Sequence, residues 1–199
     1  MIMKGLNNTS IVIVGVGGQG TLLASRILGA LAVEKDWDVK VSEVHGMAQR
    51  GGTVITFVRM GDIAVSPLIE HGGADYILAF EEMEAYRALP YLKEGGTVIA
   101  NTQRIMPMSV VTGAAQYPDD LAEKISGQAG CLLMDAYSMA EAAGEKRAVN
   151  LVLLGALCAL TGGDRQEWEQ AIAACVPAKI LEVNLRAFEA GMAHAQKTI

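Results

Sequence analysis

Cysteine is scarce in this 199-residue sequence: Cys131, Cys158 and Cys175 are the only three. They are widely spaced, with no Cys-x-x-Cys and no histidine pair nearby, so the chain offers neither a disulfide framework nor a zinc or iron–sulfur ligand set. Each lies in an apolar context and reads as a small buried hydrophobe. Charge is sparse as well, at 19% of residues against a typical ~25%. Sixteen basic residues face twenty-two acidic ones, a net charge of -6 with no run of like sign. That balance excludes a binder of nucleic-acid backbone. The longest apolar stretch, roughly 148–160, is interrupted by Asn150 and Gly155 and falls short of the ~20 residues that span a bilayer. The opening Met1-Ile2-Met3-Lys4-Gly5 lacks the charged region, apolar core and cleavage site of a signal peptide. A cytoplasmic protein with no membrane contact is expected.

What the sequence does have is apolar residues, 51% of the total, which excludes intrinsic disorder. That is more apolar surface than a lone small domain hides, and it predicts a large protein–protein contact, with homodimers when a natural partner is missing. The length predicts one domain over residues 1–199.

Ser10 to Gly15 is a continuous β-branched run bounded by polar residues and glycine, the pattern of a strand buried on both faces. A helix follows, with Leu23, Ile27 and Leu31 at helical spacing and Gly29 as a close-packing position. Asp38 to Ser42 reads as a second strand, giving a βαβ-type opening. A third strand runs from Thr53 to Arg59, and Gly61-Asp62 turns the chain into a short antiparallel partner at Ile63 to Val65. Further strands are expected at Asp75–Phe80, Gly96–Ala100 and Cys131–Asp135, with a helix from Glu82 to about Leu92. From Ala136 onward the pattern is helical: 136–143, 149–160, 165–174 and a long last helix after Pro177. In that helix Leu181, Leu185, Phe188, Met192 and Ala195 form a core-type stripe. The fold class is α/β, a Rossmann-like, mostly parallel sheet with helices on both faces and a helical C-terminal layer.

Gly15-Val16-Gly17-Gly18-Gln19-Gly20 matches G-x-G-x-x-G between a buried strand and an amphipathic helix. The glycines allow a tight turn, close backbone approach and helix–strand packing, while the helix N-terminus offers free N–H groups to an anion. Gly15, Gly17, Gly18, Gln19 and Gly20 are therefore candidates for holding a phosphate-bearing ligand; a tight turn kept for packing alone explains the same residues. A dinucleotide site needs an acid after the second strand, and Glu43 is placed for it. Yet Glu43 opens a segment to Gly52 that also holds His45, Gln49 and Arg50 among three glycines, at 46, 51 and 52. Such a set suits a recognition loop, with Gln49 and Arg50 clamping phosphate or carboxylate. No catalytic triad, nucleophile elbow or metal triad is present. His71 and His194 are lone histidines expected at helix ends. Glu81, Glu82 and Glu84 begin a helix, where carboxylates complement the dipole. Ser66-Pro67-Leu68-Ile69 reads as extended.

Taken together, the glycine motif, the segment Ser42-Glu43-Val44-His45-Gly46-Met47-Ala48-Gln49-Arg50-Gly51-Gly52, then Ser66-Pro67-Leu68-Ile69 and Ala74-Asp75 resemble the gamma-type domain of the 2-oxoacid:ferredoxin oxidoreductases. The Gly-Met-Ala-Gln-Arg-Gly-Gly wording is most similar to the indolepyruvate branch of that family. The resemblance implies a non-redox subunit of a complex that oxidatively decarboxylates aryl pyruvates to aryl-acetyl-CoA and reduces ferredoxin. It implies thiamine diphosphate and 4Fe-4S clusters on a larger alpha subunit, and coenzyme A as a ligand shared with it. The isolated chain is then expected to be inactive. The glycine turn would receive an anion, and Glu43, His45, Gln49 and Arg50 would face the alpha subunit or the CoA entrance. Specificity for pyruvate, 2-oxoglutarate or branched-chain 2-oxoacids stays open, as does a free-standing NAD-dependent dehydrogenase with Glu43 on the ribose and His45 moving a proton.

Overall fold

A computed structural model describes residues 5–45, 52–64 and 66–198. Among them six strands form one sheet: β1 (Thr9–Val16), β2 (Asp38–His45), β3 (Thr53–Gly61), β4 (Ala74–Ala79), β5 (Leu92–Asn101) and β6 (Gly130–Met134). Their order is β2-β3-β1-β4-β5-β6. The buried β-branched run makes β1 central, parallel to β4, while β4–β5 and β5–β6 are parallel too.

The antiparallel member of this mostly parallel sheet is β3, which pairs in reverse with both β2 and β1. The short antiparallel strand expected after Gly61 does not form: Ile63 and Ala64 are neither helix nor strand, and Val65 lies outside the described residues. The connection explains the difference. Seven residues separate β2 from β3, whereas a parallel return needs a crossover of about a dozen or more. Because β3 inserts there, β2 is not the neighbour of β1 that the βαβ reading implied.

Helix α1 (Thr21–Glu34) follows β1, and α2 (Glu82–Ala88) follows β4. The helix expected to reach Leu92 stops at Ala88, because Pro90 has no N–H to continue it and sits in a 3-10 turn over Leu89–Tyr91. A long connection after β5 carries the single helical turn α3 (Met108–Val111), then α4 (Leu121–Ser126) leads to β6. The helical C-terminal layer is α5 (Ala136–Ala143), α6 (Val149–Thr161), α7 (Arg165–Cys175) and α8 (Ala178–Thr198). His71 lies in a turn rather than at a helix end, edge-on to Tyr91 at 4.7 Å between ring centroids.

One face of the sheet, with Val12, Val14, Ile77 and Val98, packs on α2 and α4. The opposite face, with Ile11, Ile13, Leu78 and Ile99, packs on α1 and α6. All of α6 except Ala159 is buried, since α8 covers the side that the sheet does not. Phe188 and Ala195 of the α8 stripe are fully buried, with Leu181, Leu185 and Met192 partly so. Gly29 is not the close-packing glycine, because a Cβ there meets open space. That role belongs to Gly155 on α6 and Gly191 on α8. A Cβ on Gly155 would run into the Phe188 carbonyl oxygen, and one on Gly191 into that of Val152.

Of the three cysteines, Cys158 is fully buried and Cys131 and Cys175 are half-buried, so the small-hydrophobe reading holds fully for one. Burial pushes the Cys158 thiol up to about 12. Since the thiolate is the reactive form, brief alkylation of the native chain at pH 8 should mark Cys131 while Cys158 reacts only after unfolding. Equal labelling of the two in mass spectrometry would refute that.

Candidate functional site

The C-terminal ends of β1, β4, β5 and β6 share one edge of the sheet, where open α/β sheets bind ligands. The turn from Val16 to Gly20 lies there. Gly18 (φ 100°) and Gly20 (φ 90°) take the left-handed conformation that glycine adopts without strain. Gly15 is pressed against neighbours, a Cβ falling 3.1 Å from Phe80 Cβ.

Gln19 holds the turn from within. Its Oε1 accepts from Val16 N at 2.7 Å and its Nε2 donates to Phe80 O at 3.1 Å. The amide bonds at both ends within the chain, so its side chain braces the turn, and Gln19 also lines the space beside it. Two backbone donors are also used: Gly17 N reaches Gly52 O at 3.0 Å and Gln19 N reaches Val16 O at 3.2 Å. The N–H groups of Gly18, Gly20, Thr21 and Leu22 make no hydrogen bond among the described residues. These are the free donors of a helix start, aimed out of the sheet edge.

Two concavities flank the turn. One, of about 500 Å³, is lined by Gly17, Gly18, Leu22, Val54, Glu43 and His45. Glu43 accepts from Thr56 Oγ1 at 3.3 Å and lies 3.8 Å from His45 Nδ1. The structure thus brings Glu43 and His45 beside the glycine turn. Gln49 and Arg50 lie outside the described residues. In register, Glu43 stands opposite Thr56 and Thr56 opposite Ile13, which puts Glu43 two strands, or about 9.6 Å, from β1. A dinucleotide fold keeps its second strand next to the first, so the ribose role expected of Glu43 in a dehydrogenase does not fit.

The other concavity, of about 390 Å³, is lined by Gly18, Gly20, Tyr137, Lys146, Arg147 and Asn150. Sequence reading missed it, because Lys146–Asn150 are more than 120 residues from the turn and carry no motif of their own. Asn101, also missed, is fully buried and ties the edge together: Nδ2 donates to Phe80 O at 3.1 Å and Oδ1 accepts from Ala136 N at 3.1 Å.

The acids after β4 are not a solvated helix start. Glu81 caps α2, accepting from Glu84 N at 3.0 Å, and also accepts from Tyr117 Oη at 2.5 Å and Ile105 N at 3.1 Å. Glu82 pairs with Arg104 at 2.5 Å. Both are buried, and together they pin the long connection after β5 to α2. Burial and the Glu81 carboxylate push the Tyr117 phenol well above its ordinary value. Beyond these anchors Met106, Met108 and Val111 are exposed, an apolar prong at the same edge.

Glu84, 3% exposed, pairs with Arg87 at 2.6 Å, but its Oε2 has no partner among the described residues. Desolvation holds its carboxyl above the usual value. A folded pKa above the unfolded one means the native state holds the proton more tightly, so this group's contribution to stability is lost as pH rises from the unfolded pKa through the folded one. Glu84→Gln should therefore raise stability at pH 7, by up to about 1 kcal/mol, with the gain vanishing below the ordinary carboxylate pKa. Thermal melts at pH 4 and 7 test it; an equal shift at both would contradict it.

No group of three His, Cys, Asp or Glu among the described residues could hold a metal, and no described helix is long and apolar enough to cross a membrane. One reversed strand in a six-stranded sheet, a donor-rich glycine turn at its edge and an outer helical layer define a Rossmann-like α/β domain. The same fold is seen in the keto/oxoacid ferredoxin oxidoreductase gamma subunit of Geobacter sulfurreducens, with TM-score 0.72 and 26% identity over 95% of this chain and 99% of that one. Residues 10–194 match the family model for pyruvate ferredoxin/flavodoxin oxidoreductase, and the chain belongs to that family. It is 41% identical to indolepyruvate oxidoreductase subunit IorB of Thermococcus kodakarensis, over 96% of this chain and 97% of that protein. A 2-oxoglutarate:ferredoxin oxidoreductase of Magnetococcus marinus, solved with 2-oxoglutarate, coenzyme A and succinyl-CoA, contains the fold within a longer chain (TM-score 0.72, 20% identity, 95% of this chain and 31% of that one).

Proposed function

We propose that this chain is the non-redox subunit of a cytoplasmic indolepyruvate:ferredoxin oxidoreductase, which converts aryl pyruvates and coenzyme A to aryl-acetyl-CoA and CO2 while reducing ferredoxin. The observation that carries this is 41% identity to an IorB subunit across 97% of its length. Residues 1–199 act as one gamma-type domain beside a larger alpha subunit. Thiamine diphosphate on that partner supplies the decarboxylation chemistry, and its 4Fe-4S clusters take the electrons to ferredoxin.

The part of this chain is to bind, orient and exclude water. The open N–H groups at Gly18, Gly20, Thr21 and Leu22 receive a phosphate of coenzyme A at the positive end of α1. Gln19 keeps the turn in shape for it. Glu43, His45, Gln49 and Arg50 face the alpha subunit, and the exposed Met106, Met108 and Val111 add apolar area on the same edge.

Anaerobic co-purification of the tagged chain, followed by an indolepyruvate- and CoA-dependent acceptor assay, tests the assignment. A large brown partner and preference for aryl pyruvates over pyruvate and 2-oxoglutarate is the expected result. A colourless chain emerging alone, as homodimer or monomer, would remove the complex from the reading.

A further inference from the structure

We infer that the anion is received on the α5–α6 side of the glycine turn, by Asn150 with Lys146 and Arg147, and not on the Glu43–His45 side. The inference rests on the proposed phosphate-receiving turn and names residues of it that the motif does not contain. Asn150 is 3% exposed on the first turn of α6, and its Oδ1 accepts from Leu151 N at 3.0 Å. Its Nδ2 has no hydrogen-bond partner among the described residues. That amide nitrogen faces the turn, only 3.2 Å from where a Cβ on Gly20 would stand. Asn150 lines the space beside the turn, which holds about 390 Å³, so an acceptor placed there can take the open amide hydrogens.

The charges divide the same way. Lys146 and Arg147 line the Asn150 side. Lys146 is shared with Glu141 Oε1 at 2.8 Å and lies over the Tyr137 ring, while the Arg147 guanidinium has no ion pair among the described residues. The opposite concavity presents the Glu43 carboxylate, which repels a phosphate. Open backbone donors, a buried amide and a guanidinium fork converging on one space match a phosphate ester or pyrophosphate group.

The test is equilibrium titration of the full chain with coenzyme A and, separately, with inorganic pyrophosphate. Asn150→Ala should weaken both roughly tenfold, the worth of one hydrogen bond to a charged acceptor. Arg147→Ala, on the surface and harmless to folding, should weaken both several-fold and flatten the salt dependence. Glu43→Gln should shift neither by more than about twofold. If Glu43→Gln or His45→Ala changes affinity while Asn150→Ala and Arg147→Ala do not, the ligand sits on the other side and the inference falls, with the phosphate-receiving turn left standing. If neither probe binds the wild-type chain, the turn itself is no anion site and the inference falls with it.

Discussion

Gly191→Ala is expected to lower the melting temperature by about 4–8 °C. The added Cβ would be driven into the Val152 carbonyl oxygen, and since α6 is held between the sheet and α8 it has no free side toward which to move. Overpacking of that kind costs about 3 kcal/mol at a rigid backbone contact, and each kcal/mol is worth about 2–4 °C in a domain of this size. It outweighs the roughly 1 kcal/mol that alanine gains over glycine in a helix. Gly29→Ala is the matched control: the same exchange in α1 meets open space and should stabilise by about 0.5–1 kcal/mol. A Gly191→Ala melt within a degree of wild type would show that the α6–α8 crossing is looser than described.

Gln19→Leu is expected to raise the apparent KM for coenzyme A of the assembled complex at least about tenfold and to cost about 2–3 kcal/mol of stability. The leucine fills similar space but leaves Val16 N without the acceptor it has at 2.7 Å and removes one of two donors to Phe80 O. Those two bonds fix the direction of the open N–H groups that follow, and displacing a binding group by about 1 Å can cost a hundredfold. Gln19→Glu separates the contributions, because a carboxylate still accepts from Val16 N and cannot donate to Phe80 O. Loss of stability with an unchanged KM for coenzyme A would make Gln19 a brace of the fold alone.

The first strand, the glycine turn and the four C-terminal helices were legible in the sequence, because unbroken β-branched runs, glycine punctuation and helical spacing are local signals. The direction of β3 was not. It depends on the length of the β2–β3 connection and on which edge of β1 is free, and neither shows in strand composition. Gln19 stood out as a site residue from its place in the motif, but only its partners, one of them 61 residues away, reveal that its side chain braces the turn. Lys146, Arg147 and Asn150 gave no signal, since they join the turn through the docking of α6. The acids at 81–84 invited a helix-dipole explanation that was true of the Glu81 cap and silent about burial. Their partners Arg104 and Tyr117 lie in a connection with little periodicity to read.

Helix α6 is apolar on every side, and the segment that shields it, α8, is made after it. During synthesis the greasiest stretch of the chain therefore emerges before its cover and stays open until residues past 178 have followed. A ribosome stalled between α6 and α8, or a protease cut near Pro177, leaves a product whose sheet can form while the α8 side of α6 lies bare. Such fragments associate through exposed apolar surface, so damage at this end of the chain should be seen by the cell as aggregation before it is seen as lost activity.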